Sequence, residues 1–192
     1  MQPMRLAVVG TTGSGKTTLA RQIGARLGIP VIELDALNWR PGWRDLSRID
    51  PEELERLAKE AIAGETWVTD GNYRVALRSI FRRATEAIWL DYPRSLVMRR
   101  VIGRSVARAI DAKELWPGTG NREQWRNWFS KEHPIRWAWA THAERRSRLE
   151  EVFADPRLAH LRVHRLTHPR EAGMLIEELA GAAAAQAEPT SL

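Results

Sequence analysis

The stretch Gly10-Thr11-Thr12-Gly13-Ser14-Gly15-Lys16-Thr17-Thr18 follows directly on the apolar run Met4-Arg5-Leu6-Ala7-Val8-Val9. Gly10, Gly15, Lys16 and Thr17 satisfy the pattern G-x-x-x-x-G-K-[ST], in which a tightly turning backbone points its N–H groups at phosphate oxygens. The lysine reaches the outer phosphates, and the hydroxyl suits Mg²⁺. The preceding run reads as a buried parallel strand. Behind the loop, Leu19, Ala20, Ile23 and Leu27 recur at helical spacing, and Gly28 stands where a left-handed residue would close the helix. A helix starting near Lys16 adds its positive dipole end. Gly10, Gly13, Ser14, Gly15, Lys16, Thr17 and Thr18 are thus the expected ligands of a nucleoside triphosphate with its Mg²⁺.

Working outward, Ile29–Asp35 predicts a second strand, Thr66–Asp70 a third, Ala87–Asp91 a fourth and Leu161–Leu166 a fifth. Helical patterns separate them, so the fold class is α/β with a doubly wound parallel sheet of about five strands. Between Ala36 and Gly64 a loop rich in Trp, Arg, Pro and Gly precedes a helix marked by Asp50 as cap, Pro51 at the first helical position and Glu53 completing a capping box. From about 103 to 150 no strand pattern appears; the stretch is basic and helical, broken by Trp116-Pro117-Gly118-Thr119-Gly120 and by Pro134. The expected organisation is one domain over 1–180, with an acceptor-side subdomain at 36–64, a helical lid-like region at 103–150 and a fraying tail at 181–192.

Composition narrows the partners. The 192 residues include no cysteine, which removes disulfides and thiolate zinc sites, and the net charge is +6, which suits acidic ligands. No run is long and apolar enough to span a bilayer and no signal-peptide pattern precedes the first strand, so the expectation is a cytoplasmic protein without a membrane partner. Neither N-K-x-D nor D-x-x-G occurs, against a signalling GTPase, and the Asp-Glu pair of motor and remodelling ATPases is missing.

Carboxylates ending parallel strands face the ligand crevice of such a sheet. Asp35, Asp70 and Asp91 occupy those positions. Asp70 is the expected metal carboxylate beside Thr17, because Mg²⁺ needs only one or two. Asp35 is placed nearest an acceptor, and Asp91, which precedes Tyr92-Pro93 and a helix, is read as a helix cap. Arg100, Arg104 and Arg108 lie four apart and share one helix face. Arg122, Arg126 and Arg136 are unranked further candidates.

The order of phosphate loop, Leu34-Asp35, Asp70-Gly71-Asn72-Tyr73-Arg74, Trp89-Leu90-Asp91-Tyr92-Pro93-Arg94, an arginine-rich helical segment and a last strand resembles the adenylate-kinase-like P-loop proteins, with their nucleoside-monophosphate-kinase-like fold. Asp35-Ala36-Leu37-Asn38-Trp39, Pro41-Gly42-Trp43 and Trp67–Tyr73 are similar to the bacterial branch labelled topology modulation protein, or FlaR-like. The resemblance implies an ATP-dependent kinase in which Asp70 serves the metal, Arg74 grips the acceptor, and Arg100, Arg104 and Arg108 close over the phosphates as a lid. Asn72 and Tyr73 depart from the Asp-Gly-Phe-Pro-Arg pattern of monophosphate kinases. The Thr-Gly-Asp motif that seats AMP is absent, whereas Asp35 resembles the aspartate that shikimate-type kinases hold near a substrate hydroxyl.

The acceptor is therefore a nucleoside monophosphate or a small hydroxyl metabolite. The alternative from another class is a nucleic-acid-associated regulatory ATP-binding protein that modulates DNA topology; basic residues interleaved with tryptophans suit stacking on single strands. It ranks second, because Trp125, Trp128 and Trp137 have spacings that fit packing between two short helices. Trp39 and Trp43 flank the proposed acceptor region, where packing is again preferred to stacking on a ligand. His160, His164 and His168 do not reach the ligand count of a metal site.

Overall fold

A computed structural model describes residues 3–111, 114–122 and 134–187 of the chain. Five strands form one parallel sheet: β1 (Arg5–Gly10), β2 (Val31–Glu33), β5 (Trp67–Asp70), β6 (Glu86–Leu90) and β7 (Arg162–Leu166), in the order β2-β5-β1-β6-β7. The phosphate-loop strand β1 is central, with Val8 opposite both Asp70 and Ile88. Its side chains alternate between two cores. Leu6 and Val8 pack with Leu19, Ile23, Val97 and Val101 on one face, while Ala7 and Val9 pack with Leu34, Ile62, Trp67 and Ile80 on the other.

The helices follow from the sequence signals with instructive exceptions. α1 (Lys16–Leu27) ends at Gly28, whose φ of 66° is left-handed and whose N–H bonds to Gly24 O. β2 is shorter than expected. It is an edge strand whose partner β5 ends at Asp70, opposite Glu33, so Leu34 and Asp35 have no neighbour to pair with and turn into α2 (Leu34–Asn38). The expected loop beyond it holds a small antiparallel hairpin, β3 (Trp39–Arg40) and β4 (Arg44–Asp45), turned by Gly42 and Trp43 at φ of 72° and 59°. α3 (Leu46–Ile49) is capped by Asp45, which accepts from Ser47 N at 3.0 Å.

In α4 (Pro51–Ala61) Asp50 caps as expected, accepting from Glu53 N at 3.1 Å. The capping box is not completed: the Glu53 carboxylate pairs instead with Arg56, at 2.7 and 2.8 Å. A bidentate guanidinium competes better for a carboxylate than one backbone N–H. α5 (Arg74–Arg83) follows β5, and α6 (Arg94–Asp111) follows β6. In the 114–122 stretch an isolated antiparallel bridge joins Glu114 and Arg122. α7 (Pro134–Phe153) begins at Pro134, a residue suited to the first helical position, and the stretch before it, where a second short helix was expected, lies outside the described residues. α8 (Pro169–Ala187) carries the alanine-rich tail past Gly181 as regular helix, because alanine has the highest helix propensity. Trp125, Trp128 and Arg126 lie outside the described residues, as does the side chain of Trp137.

Candidate active site

The phosphate loop is shaped by contacts that only glycine allows. Gly13 has a φ of 81°, and a Cβ there would lie 2.1 Å from Val101 Cγ2 of α6. Gly10 has a φ of 148°, with Leu90 O 2.7 Å from the position of a Cβ. Thr11 O gathers the loop, accepting from Ser14 N at 3.2 Å, Ser14 Oγ at 2.8 Å and Lys16 Nζ at 3.2 Å. The loop is clipped to the next strand by Asn72: Gly10 N donates to Asn72 Oδ1 at 3.3 Å, and Asn72 Nδ2 donates back to Gly10 O. The departure from the monophosphate-kinase pattern at Asn72 thus has a structural use, as a tie between β5 and the loop.

Thr17 and Asp70 come together as expected. Burial pushes the Asp70 carboxyl's pKa up, against the opposing pull of the Thr17 hydroxyl and the Lys16 charge. Asp70 is only 2% exposed, yet its Oδ2 has no hydrogen-bond partner. A buried carboxylate oxygen without a donor is costly, and a hard cation shared with the Thr17 hydroxyl would satisfy it. The donor set therefore fits Mg²⁺.

Burial lowers the Lys16 pKa from 10.5 to about 8; Asp35 and Asp70 oppose the shift, while Arg145 and Arg104 assist it. A cluster of cations at one point, relieved when a polyanion arrives, is how a phosphate site is electrostatically poised.

On the acceptor side, Asp35 stands exposed in the first turn of α2, and the Tyr73 hydroxyl donates to its Oδ1 at 2.7 Å. Burial, and then the Asp35 charge, push the Tyr73 pKa well up, so the phenol remains a donor throughout the physiological range. Asp45 and Asp70 add to the same negative field. Arg74 opens α5 one residue on, with its side chain exposed.

The three arginines of α6 part company. Arg100 donates from Nη1 to Ser14 O at 2.8 Å and lies over the Tyr92 ring, so it buttresses the loop backbone. Arg104, one turn on, acts on Lys16. Arg108 follows a further turn along, half-buried. Arg145 of α7 was missed by the sequence reading. Burial lowers its pKa against the Glu144 and Asp35 charges, and its own charge acts on Lys16. It lines a cavity with Thr11, Asp91, Tyr92 and His142. Its sequence neighbours Arg146 and Arg148 gave no reason to single it out.

Asp91 has a structural role other than the expected cap. It accepts from Arg165 Nε and Nη2 at 2.9 and 2.6 Å and pairs with Arg146 at 3.2 Å, holding α7 beside β6 and β7. The histidines are also engaged locally: His160 Nε2 meets Phe81 O at 3.0 Å, His164 pairs with Glu86 at 2.5 Å, and His168 Nδ1 accepts from Arg170 N at 3.2 Å. Trp39 stacks on Trp116 with ring centroids 5.8 Å apart, and Trp43 meets both edge-on. No helix among the described residues is long and apolar enough to cross a membrane.

Comparison with known proteins agrees with this fold. The family model described as "ATPase family associated with various cellular activities (AAA)" matches residues 6–100, the part that carries the phosphate loop, β5 and β6. Over 117 residues the chain is 31% identical to a shikimate kinase of Symbiobacterium thermophilum, covering 55% of this chain and 67% of that one. It is 26% identical over 208 residues to a shikimate kinase of Salinibacter ruber, covering 97% and 88%. The solved structure of shikimate kinase from Acinetobacter baumannii in complex with shikimate superposes with a TM-score of 0.55 at 16% identity, covering 98% of this chain and 97% of that one.

Proposed function

We propose, because this chain belongs to the P-loop kinase family of shikimate- and adenylate-kinase-like enzymes, that it transfers the γ-phosphoryl group of ATP to a hydroxyl of a small metabolite. Within that family, the resemblance of the pieces Asp35–Trp39, Pro41–Trp43 and Trp67–Tyr73 to the topology-modulation, FlaR-like branch supports a place for it there.

The observation that carries the hydroxyl reading is the Tyr73–Asp35 hydrogen bond beside the phosphate loop. A hydroxyl acceptor must lose a proton, and a carboxylate within hydrogen-bond reach accepts it; a phosphate acceptor is already ionised and needs cations instead. Asp35, Asp45 and Asp70 make this side of the site negative, which repels an anionic acceptor.

In this reading the loop N–H groups and Lys16 hold the triphosphate, with Gly10, Gly13, Ser14, Gly15, Thr17 and Thr18 forming the cradle. Thr17 and Asp70 would hold Mg²⁺, which neutralises phosphate charge when bound. Asp35 takes the acceptor's proton as its oxygen bonds to the γ-phosphorus; the bond from that phosphorus to the bridging oxygen breaks, and its electrons leave with ADP. Arg104 and Arg145 face the charge that spreads over the phosphoryl oxygens, and Arg74 orients the acceptor. Arg108 would join them on closure.

The test is ADP release from ATP and Mg²⁺ against a panel of hydroxyl metabolites, nucleosides and nucleoside monophosphates. One hydroxyl compound raising the rate well above the water background identifies the acceptor. Stimulation only by a monophosphate would overturn the hydroxyl reading, and stimulation by none would overturn the kinase reading itself.

A further inference from the structure

The hairpin β3–β4 and the 114–122 stretch are far apart in sequence, yet one side chain joins them. Asn121 is 2% exposed; its Nδ2 donates to Arg40 O at 3.0 Å, and its Oδ1 accepts from Trp43 N at 3.0 Å. The carboxamide thus satisfies one acceptor and one donor across the mouth of the hairpin. Trp116 adds the stacked contact with Trp39 and the edge contact with Trp43.

The stretch that presents Asn121 is pre-formed. Leu115 N donates to Asn121 O at 2.9 Å, Thr119 Oγ1 to Trp116 O at 2.7 Å, and Gly120 N to Glu114 Oε1 at 2.6 Å. Both ends of the connection lead to the candidate site. The hairpin follows directly on α2, which carries Asp35, and Asn38 at the end of that helix accepts from Ser47 N at 2.8 Å, fastening α2 to α3. On the other side, the stretch follows α6, whose Arg100 holds the phosphate-loop backbone.

We propose that Asn121 is a positioning residue that couples the nucleotide half of the site to the acceptor half, so that order imposed on α6 by a bound triphosphate is passed to the hairpin and to Asp35. The inference rests on the nucleotide-binding reading above. It makes ATP and the acceptor mutually cooperative ligands, because linkage is reciprocal. A tie made by two neutral hydrogen bonds and ring contacts is strong enough to transmit order and weak enough to open for product release.

The test is hydrogen exchange on the full chain with and without the ATP analogue AMP-PNP and Mg²⁺. In the native protein the analogue is expected to slow exchange at residues 10–18 and, by about five-fold or more, at residues 39–45. In Asn121→Ala the response at 10–18 persists and that at 39–45 disappears. Asn121→Asp still accepts from Trp43 N–H but cannot donate to Arg40 O, and should retain part of the hairpin response. The proposal is overturned if 39–45 responds in Asn121→Ala as it does in the native chain, or if the native chain responds at 10–18 alone. No response at 10–18 would overturn nucleotide binding, and this proposal with it, and is distinguishable from either of those results.

Discussion

Tyr73 donates its hydroxyl hydrogen to Asp35 across 2.7 Å, linking the residue before α5 to the first turn of α2. The phenol orients the carboxylate, and the carboxylate carries the chemistry. Asp35→Asn is therefore expected to lower kcat by about 10²–10⁴ with little change in KM for ATP, the range for loss of a positioned general base. Tyr73→Phe removes one hydrogen bond to a charged group and should cost about ten-fold. Steady-state kinetics on both variants checks this; an unchanged kcat in Asp35→Asn would remove Asp35 from proton transfer.

Asp70→Asn keeps the size of the side chain but replaces a buried anionic oxygen by a neutral amide. Turnover should fall by about 10²–10³, as when one preorganised electrostatic contact is lost. ATP titrations at several Mg²⁺ concentrations read the cause: the native affinity should rise with Mg²⁺ and the variant's should not.

Lys16 gives a pH prediction whose sign is fixed. Its pKa is lowered to about 8 in the folded chain, against about 10.4 when unfolded, so between those values the unfolded chain binds more protons and folding stability rises with pH. Below pH 8 the folded protein bears the full cost of a charged, partly buried ammonium. Lys16→Met should then raise the ligand-free melting temperature at pH 7, by about 2–4 °C for each kcal/mol relieved, while abolishing turnover. In the native protein ATP affinity should weaken above pH 8. Calorimetry in buffers of different ionisation enthalpy should show proton uptake on binding.

Arg145 and Arg100 should behave differently although both are arginines near the loop. Arg145→Ala removes charge from the site and is expected to lower kcat by about 10³, at the lower end of effects for arginines on transferring phosphoryl groups. Arg100→Ala removes a backbone buttress and should lower the melting temperature and ATP affinity together. Equal effects in both assays would refute the distinction.

Gly13→Ala tests the loop's shape. The added Cβ would meet Val101 Cγ2 at 2.1 Å, and a φ of 81° is strained for any side chain, so a loss of about 1–3 kcal/mol is expected. Chemical denaturation measures it. Val101→Ala added to Gly13→Ala should return only the steric part, because the backbone strain remains.

The sheet was legible because four of its five strands are largely apolar runs bounded by glycine, proline or aspartate, and the phosphate loop because its residue types are dictated by backbone chemistry. What escaped was set by tertiary contact. The length of β2 depends on where β5 ends, so the α2 turn at Leu34 carries no local signal. Arg100, Arg104 and Arg108 share a face, but α6 lies close enough to Gly13 that the first is drawn beneath the loop. Arg145 is one of several basic residues on α7, and only the docking of that helix by Asp91 and Arg146 decides which one faces Lys16.

The placement of β1 bears on how this chain is made. Its neighbours are β5 and β6, so Arg5 waits for Trp67, and Leu6 for Glu86, before it has a partner on either side. During synthesis the phosphate loop leaves the ribosome before the residues that surround it, which are complete only after Leu90 and Val101 have followed. Such long-range pairing slows folding and leaves an apolar strand uncovered on the nascent chain. The segment best suited to hold a nucleotide is thus the one that depends longest on the rest of the polypeptide.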